Sequence, residues 1–285
     1  MSILFSSFWF GEALPPIEHV CVKSFLWHGH RFRLYAFDEV ANVPVGCELA
    51  DASTVVDRDR LFLHTEPGRV GSPSGFSNLF RYELLRQRGG WWVDSDMLCL
   101  RPDLHEAEYV FAPEDDEGSF NPAVLRAPPH SALFEEAARR ASDVVERQHG
   151  KVAFNVTGPW LFHDLVKDVG LEAHAWPKNA FFPVHWRETF VVCDPRRRQE
   201  VERRVANSMF LHLWTSMFTF NGVPRTALPP KGSYLHSLFG RYEVTLPQTR
   251  YDWRRVVPPT GLVSRARYKA RRSAAKIVRL RGRSK

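Results

Sequence analysis

The sequence is poor in cysteine, and its four thiols, at Cys21, Cys47, Cys99 and Cys193, form neither a CxxC pair nor a cluster with histidine. This pattern excludes a structural zinc site of known spacing and favours reduced thiols, as in the cytosol. The chain also lacks a run of about 18 uncharged apolar residues, which excludes a conventional membrane-spanning helix. Its first residues carry no basic region and no small-residue cleavage site, so we predict no secretory signal.

Acidic residues are nearly absent from residues 250–285, which hold 13 of the 39 basic residues and only Asp252 among the acids. The preceding 249 residues hold 26 basic and 31 acidic residues, so a mildly acidic body precedes a strongly basic tail. With 44% hydrophobic and 25% charged residues, the composition is that of an ordinary globular protein. We therefore predict one folded domain over residues 1–249 and a separate tail over 250–285.

Apolar periodicity predicts alternating strands and helices. The apolar run 3–10 is typical of a buried strand, and 31–37 alternates charged with apolar residues. One helix is predicted from Pro16 to Trp27, and another ends at Gly89. Further strands are predicted over 109–112, 123–125, 189–193 and 209–214, and further helices over 131–148, 160–169 and 195–205. This alternation predicts an α/β fold with a mostly parallel central sheet flanked by helices.

Two aspartates interrupt the apolar segment WWVDSDMLCL, which predicts a strand, an acidic turn and a second strand. At such a turn Asp94 and Asp96 can converge on one point, where their hard oxygen ligands suit Mg²⁺ or Mn²⁺. The alternative is a plain Asx turn without a ligand, which aspartates after a strand often form. In open α/β sheets ligands bind beyond the carboxyl ends of strands, so the position of the turn favours a metal diphosphate.

The segment FSNLFRYELLRQRGGWWVDSDMLCLRP strongly resembles the DXD-motif sugar transferases of glycosyltransferase family 32, which includes capsular-polysaccharide enzymes and yeast mannosyltransferases. It is more distantly similar to the glucosylating toxins of clostridia. Shorter matches are FWFGEALP at 8–15, SFLWHGHRFRLYAFD at 24–38, TGP at 157–159 and HLW at 212–214. The resemblance covers residues 8 to about 220 and leaves the basic tail unexplained.

The resemblance implies a GT-A fold and a retaining glycosyltransferase that uses Mn²⁺ or Mg²⁺ and a nucleotide-sugar, a UDP-sugar first and a GDP-sugar second. It implies that Asp96 binds the metal directly, while Asp94 contacts the ribose or sugar and reaches the metal through water. The expected acceptor is a glycan or a lipid-linked glycan in cell-surface polysaccharide synthesis. His212 would complete the metal site; the alternative is a histidine on a half-buried strand.

Five further residues are candidates for the donor site. Trp9 would stack on the nucleobase, although most tryptophans simply pack in a core. Ser77 and Arg81 share one helical face, where Arg81 would offer a fork to phosphate or sugar hydroxyls; its alternative is a surface salt bridge. Asn78 replaces the usual aspartate of the family, which puts the choice of sugar in doubt. Asn121 would shape the donor or acceptor pocket, unless it serves turn chemistry alone.

Two other segments allow a functional and a structural interpretation. The acidic run 114–117 would meet acceptor hydroxyls or form a solvated loop. The basic tail would form an amphipathic helix on an anionic membrane, which predicts a cytoplasmic protein that is peripheral on the inner face of the plasma membrane. A disordered tail is its main alternative, and nucleic-acid binding is not expected because no nucleic-acid module is recognisable.

Two other functions stay open from the sequence. A catalytically silent carbohydrate-binding domain would use the nine tryptophans for stacking. A nucleotidyltransferase would share the metal and the nucleotide but release pyrophosphate.

Overall fold

The computed structural model describes residues 2–104 and 107–257. Its strands are β1 (Leu4–Phe8), β2 (Arg31–Ala36), β3 (Cys47–Asp51), β4 (Gly90–Val93), β5 (Met97–Cys99), β6 (Val110–Pro113), β7 (Phe120–Ala127) and β8 (Phe210–His212). Its helices are α1 (Pro16–Trp27), α2 (Ser74–Arg88), α3 (Ala132–Arg147), α4 (Pro159–Asp168), α5 (Lys178–Phe181), α6 (Arg198–Val205), α7 (Thr215–Phe220) and α8 (Tyr234–Arg241).

Six strands form the central sheet in the order β3-β2-β1-β4-β7-β6. The first four run parallel, whereas β7 is antiparallel to both β4 and β6. β5 leaves this sheet and pairs with β8 in a two-stranded antiparallel sheet. The predicted α/β fold with a mostly parallel, helix-flanked sheet is therefore confirmed.

The sheet separates two apolar layers, and the two adjacent tryptophans of β4 show why. Successive strand residues point to opposite faces. Trp91 therefore packs in the layer with Phe25 of α1, and Trp92 packs in the layer with Phe80 of α2. A third apolar cluster lies around β5, β8 and α8. Large buried aromatic residues therefore pack on both faces of the sheet.

Local signals set several element ends as predicted. The helix α1 begins at Pro16 and ends at Trp27, and α2 ends before Gly89, which has a φ of 59°. The edge strand β3 was not predicted, because its sequence CELAD carries two acids. Glu48 of this strand pairs with Arg31 and Arg33 of β2 at 2.5 and 2.9 Å, which is how an edge strand tolerates charge.

The predicted strand over residues 189–193 is wrong, because this segment belongs to a 3₁₀ helix over Trp186–Cys193. A short apolar run does not distinguish a strand from a buried helical segment. Here the run packs against α6 and α8 instead of a neighbouring strand. The hydroxyl of Thr189 donates to the carbonyl of Leu213 at 2.7 Å, which fixes the segment behind the end of β8.

The end of the described chain continues the packing of the body. Val256 is buried in the third apolar cluster, and the indole of Trp253 donates to the carbonyl of Leu228 at 2.8 Å. The rest of the predicted basic tail, residues 258–285, lies outside the described residues, so the division at residue 249 stays a prediction. Within residues 2–104 and 107–257, no helix combines the length and the apolar character that crossing a membrane requires.

Candidate active site

The strand order reverses between β1 and β4. From β1 the chain builds β2 and β3 on one side, and then returns to place β4 on the other side. Such a switch point opens a crevice at the carboxyl ends of the strands, where α/β proteins bind ligands. Trp9 follows β1 and Asp94 follows β4, so two of the predicted site residues flank this crevice.

The acidic turn brings three potential metal ligands together. One ligand atom each from Asp94, Asp96 and His212 lie within 4.8 Å of one another. His212 arrives through the pairing of β8 with β5, in which it lies opposite Met97, the first residue after the turn. The turn itself is held by the amide of Asp94, which donates to the carbonyl of Ala123 at 2.8 Å. We call these three side chains the Asp-Asp-His cluster.

Asp96 is the most firmly held member of the cluster. Its Oδ1 lies 3.1 Å from Nε2 of His212, and its Oδ2 accepts hydrogen bonds from the amide and hydroxyl of Thr215 at 2.8 and 3.0 Å. Burial alone would raise the pKa of Asp96. The attraction and hydrogen bond of His212 and the amide of Thr215 outweigh burial, so this pKa lies below its ordinary value. Asp96 is therefore a carboxylate at neutral pH.

The chain turns sharply between the two groups that hold Asp96. Trp214 adopts the left-handed conformation with a φ of 53°, a strained state for a large side chain. This turn starts α7 and aims the amide of Thr215 at Asp96. The ring of Trp214 also stacks on the ring of His212 at 3.8 Å, and its indole donates to the carbonyl of Val184. Trp214 is thus both a core residue and a support of the cluster.

His212 is enclosed and electrostatically coupled to the acids. Burial disfavours its charged form, but the neighbouring Asp96 and Asp94 outweigh burial and raise the pKa of His212. Its Nδ1 is buried without a hydrogen-bond partner among the described residues. The Nε2 contact with Asp96 is one that the imidazole and the two carboxylates could exchange for a bound cation.

Asp94 is oriented by Trp92 and Arg81. Its Oδ1 accepts from the indole nitrogen of Trp92 at 3.0 Å and lies 2.9 Å from a guanidinium nitrogen of Arg81. Burial raises the pKa of Asp94, and the Arg81 charge opposes that rise. Arg81 also donates to the carbonyl of Pro122 at 2.7 Å, and its guanidinium lies 5.0 Å from the centre of the Trp92 ring. Arg81 therefore positions Asp94 and is not the surface ion pair that was its alternative.

The remaining predicted donor residues surround this arrangement. Ser77 accepts hydrogen bonds from Arg81 through its carbonyl and its hydroxyl at 3.2 and 3.4 Å. Asn78 is buried and packs closely against Gly158. A Cβ added at Gly158 would lie only 2.7 Å from the side-chain amide nitrogen of Asn78. Asn121 accepts from the amide of Ala123 at 2.8 Å and donates to Glu114. Ser77 is thus connected to the acidic turn through Arg81, and Asn121 is connected to it through Ala123.

Trp9 lies at the same edge of the sheet as the cluster. Its amide donates to the carbonyl of Tyr35 at 2.8 Å, and its side chain is half-buried. The indole nitrogen has no hydrogen-bond partner among the described residues. The position at the switch point suits a stacking role, and that role stays a prediction.

Sequence reasoning missed one support of Asp96, the residue Thr215, and a buried ion pair near it, Glu18 with Arg225. Thr215 follows HLW directly, but no motif marks it. Glu18 of α1 is fully buried near Asp96. It pairs at 2.8 Å with Arg225, which lies 207 positions further along the chain. Burial raises the pKa of Glu18, and Arg225 opposes that rise. An acid in the first turn of a helix is ordinary, so the sequence offered no signal for this pair.

No family model and no curated protein sequence matches the chain. Among solved structures, the PaToxG glycosyltransferase is similar over 86% of both chains, with 11% identity and a TM-score of 0.45. The glycosyltransferase GlyE of Streptococcus pneumoniae TIGR4 is similar over 88% of this chain and 66% of its own, with 12% identity and a TM-score of 0.36. The apo form of GlyE gives the same identity and TM-score. This chain thus spans about two thirds of the length of GlyE.

Proposed function

We propose that this protein is a metal-dependent, retaining glycosyltransferase of the GT-A type. The observation that carries the proposal is the Asp-Asp-His cluster at the carboxyl edge of the sheet, beside the point where the strand order reverses. The resemblance of the DXD segment to glycosyltransferase family 32 supports the same activity. In this proposal Asp94, Asp96 and Arg81 are the catalytic residues.

The residues of the cluster fit a divalent cation. Two carboxylates supply hard oxygen ligands, and the imidazole favours Mn²⁺ over Mg²⁺, which selects oxygen. Asp96, Asp94 and His212 would hold the ion, which would neutralise the charge that develops on the departing nucleoside diphosphate. Thr215 keeps Asp96 oriented, and Arg81 keeps Asp94 oriented. Fixed ligands of this kind need little reorganisation when the charge develops.

The donor would be a nucleotide-sugar, with UDP-sugars the first candidates and GDP-sugars the second. Trp9 would stack on the base, and Ser77, Asn78 and Asn121 would line the donor pocket. The resemblance to glycosyltransferase family 32 supports front-face displacement as the mechanism. The acceptor oxygen bonds to the anomeric carbon on the face from which the diphosphate leaves, and its proton passes to a diphosphate oxygen.

The acceptor would be a glycan or lipid-linked glycan of a cell-surface polysaccharide. The 13 basic residues of 250–285 support a peripheral position on an anionic cytoplasmic membrane face, because each basic side chain near such a surface contributes about 1 kcal/mol.

A screen of nucleotide-sugars, with and without EDTA, tests the function. We expect Mn²⁺-dependent release of nucleoside diphosphate from one donor, with retained anomeric configuration in the product. Release of pyrophosphate would instead indicate a nucleotidyltransferase. Sugar binding without any diphosphate release would indicate a silent carbohydrate-binding domain.

A further inference from the structure

A cavity of about 380 Å³ lies between the loop after β6 and the first half of α4. Its polar and aromatic lining residues are Glu114, Ser119, Asn155, Trp160, His163 and Asp164. Its volume is within the range of small-molecule sites, about 300–1,000 Å³. The cavity is distinct from the Asp-Asp-His cluster, since it shares none of the three side chains.

A short chain of hydrogen bonds joins this cavity to the acidic turn. Glu114, in the cavity wall, accepts from the side-chain amide of Asn121. The amide oxygen of Asn121 accepts from the backbone of Ala123 at 2.8 Å, and the carbonyl of Ala123 accepts from the amide of Asp94 at 2.8 Å. A ligand in the cavity would therefore lie next to the groups that shape the metal site.

The charge of the lining indicates what the cavity would bind. It contains two acids, Glu114 and Asp164, and no lysine or arginine. A diphosphate would be repelled there, which separates this cavity from the donor nucleotide. Asn155 and Ser119 can each donate and accept hydrogen bonds, as the hydroxyls of a sugar do. His163 accepts from the amide of Phe120 through Nδ1 at 3.4 Å, so its Nε2 carries a hydrogen and can donate.

Trp160 gives the cavity an aromatic wall. It lies in the first turn of α4, and 61% of its surface is exposed, although it is a large apolar side chain. The same ring borders a second cavity of about 490 Å³, which also shares Asp164. We call the cavity beside Glu114 the inner cavity and this second one the outer cavity. Arg139, Arg140 and Asp143 line that outer cavity. Trp160 thus lines both cavities and keeps most of its surface exposed, as an aromatic side chain that stacks on a sugar ring would.

We propose that the inner cavity binds the acceptor sugar of the transfer reaction, that Trp160 stacks on this sugar, and that the outer cavity receives the next unit of the acceptor glycan. This assignment rests on the proposed function and adds to it the place and class of the acceptor: a neutral pyranose at the reacting end of an oligosaccharide. Glu114 and His163 would bind its hydroxyls and orient one of them toward the donor.

Trp160→Ala, Trp160→Phe and Trp27→Ala test the assignment. Trp27 is the matched control, because it is 59% exposed and packs edge-on against Tyr242, away from both cavities. The probes are the methyl glycosides and β-linked disaccharides of glucose, galactose, mannose and N-acetylglucosamine. Their binding to the full chain without donor or metal is followed by saturation-transfer NMR. Stimulation of diphosphate release by the same probes gives the KM for the acceptor.

We expect Trp160→Ala to weaken binding of the best probe at least tenfold and to raise the acceptor KM by a similar factor, without a matching rise in the donor KM. Trp160→Phe should recover most of the affinity, and Trp27→Ala should behave as the wild type. The assignment is overturned if Trp160→Ala binds the probes as well as Trp27→Ala does, or if the wild type binds none of them.

The two proposals can fail separately. If no donor releases a diphosphate but the probes bind through Trp160, the cavity is a sugar site and the proposal of transferase activity is wrong. If diphosphate release is metal-dependent but indifferent to Trp160, the activity stands and the acceptor site is wrong.

Discussion

Removing the charge of Asp96 is the most direct test of the proposed metal site. Asp96→Asn keeps the shape of the side chain and removes its charge. The amide oxygen of asparagine can still accept both hydrogen bonds from Thr215, and its NH₂ group can donate to a neutral His212. We therefore expect the variant to fold, and a thermal unfolding curve close to that of the wild type checks this.

The expected loss follows from the charge at the site. At a separation of about 4 Å and an effective dielectric constant near 20, one unit charge pair is worth about 4 kcal/mol. Mn²⁺ carries two positive charges, so one such pair is a lower bound. Since 1.4 kcal/mol corresponds to a tenfold change in an equilibrium constant, metal affinity should fall at least about 1,000-fold. The rate of diphosphate release at limiting Mn²⁺ should fall by a similar factor.

Titration calorimetry with Mn²⁺ in the presence of UDP, and diphosphate release from the best donor, measure the two effects. Asp57→Asn is the matched control, because Asp57 is exposed and its side chain makes no capping hydrogen bond. The reasoning is refuted if Asp96→Asn retains Mn²⁺ binding and diphosphate release within tenfold of the Asp57→Asn control.

Three further predictions concern the fold and the tail. Gly89→Ala should destabilise the protein by several kcal/mol more than Gly90→Ala in urea unfolding. Both glycines have positive φ, but only at Gly89 would a Cβ approach a backbone nitrogen, to 2.4 Å; equal losses would contradict this. Glu136→Gln removes a carboxylate whose pKa is lowered to about 2 by hydrogen bonds from Arg139 and Arg140. Because the folded-state pKa lies below the ordinary 4.5, the carboxylate stabilises the fold above that pH and loses its effect as the pH falls toward 2. We expect Glu136→Gln to lower the free energy of unfolding in urea by at most about 1 kcal/mol at pH 7, and this difference should shrink between pH 4.5 and pH 3. A difference that does not depend on pH would argue against the ion pairs of Glu136. Deletion of 258–285 removes ten basic residues; it should lower binding to phosphatidylglycerol vesicles in sedimentation and leave transfer to a soluble acceptor intact, whereas unchanged vesicle binding would refute the membrane role.

The deletion begins at residue 258 because the residues just before it contact the folded body. The charge pattern placed the start of the tail at residue 250, where basic residues begin to dominate. Trp253 and Val256 nevertheless pack on the body. A count of charges does not register such contacts, since two apolar side chains are enough to attach a segment that is otherwise polar.

Two segments were the least predictable from the sequence. The run Thr189–Cys193 has the apolar composition of a strand, yet it packs as a 3₁₀ helix against α6 and α8. Edge strand β3 has the reverse character, because two of its five residues are acids and it still pairs with β2. In both cases the neighbours decide the conformation, and strand propensity mainly reflects the surface on which the segment packs.

The sequence by itself determined the elements whose signals are local. Proline at the start of α1, glycine with positive φ after α2, and two acids between apolar runs each limit the backbone within a few residues. Tertiary structure alone decided which groups meet at the acidic turn. His212 and Thr215 reach Asp96 from 116 and 119 positions away, because β8 pairs with β5 in one register and the chain then turns sharply at Trp214. Contacts at that separation depend on how strands pair and layers pack, and no spacing within the sequence records them.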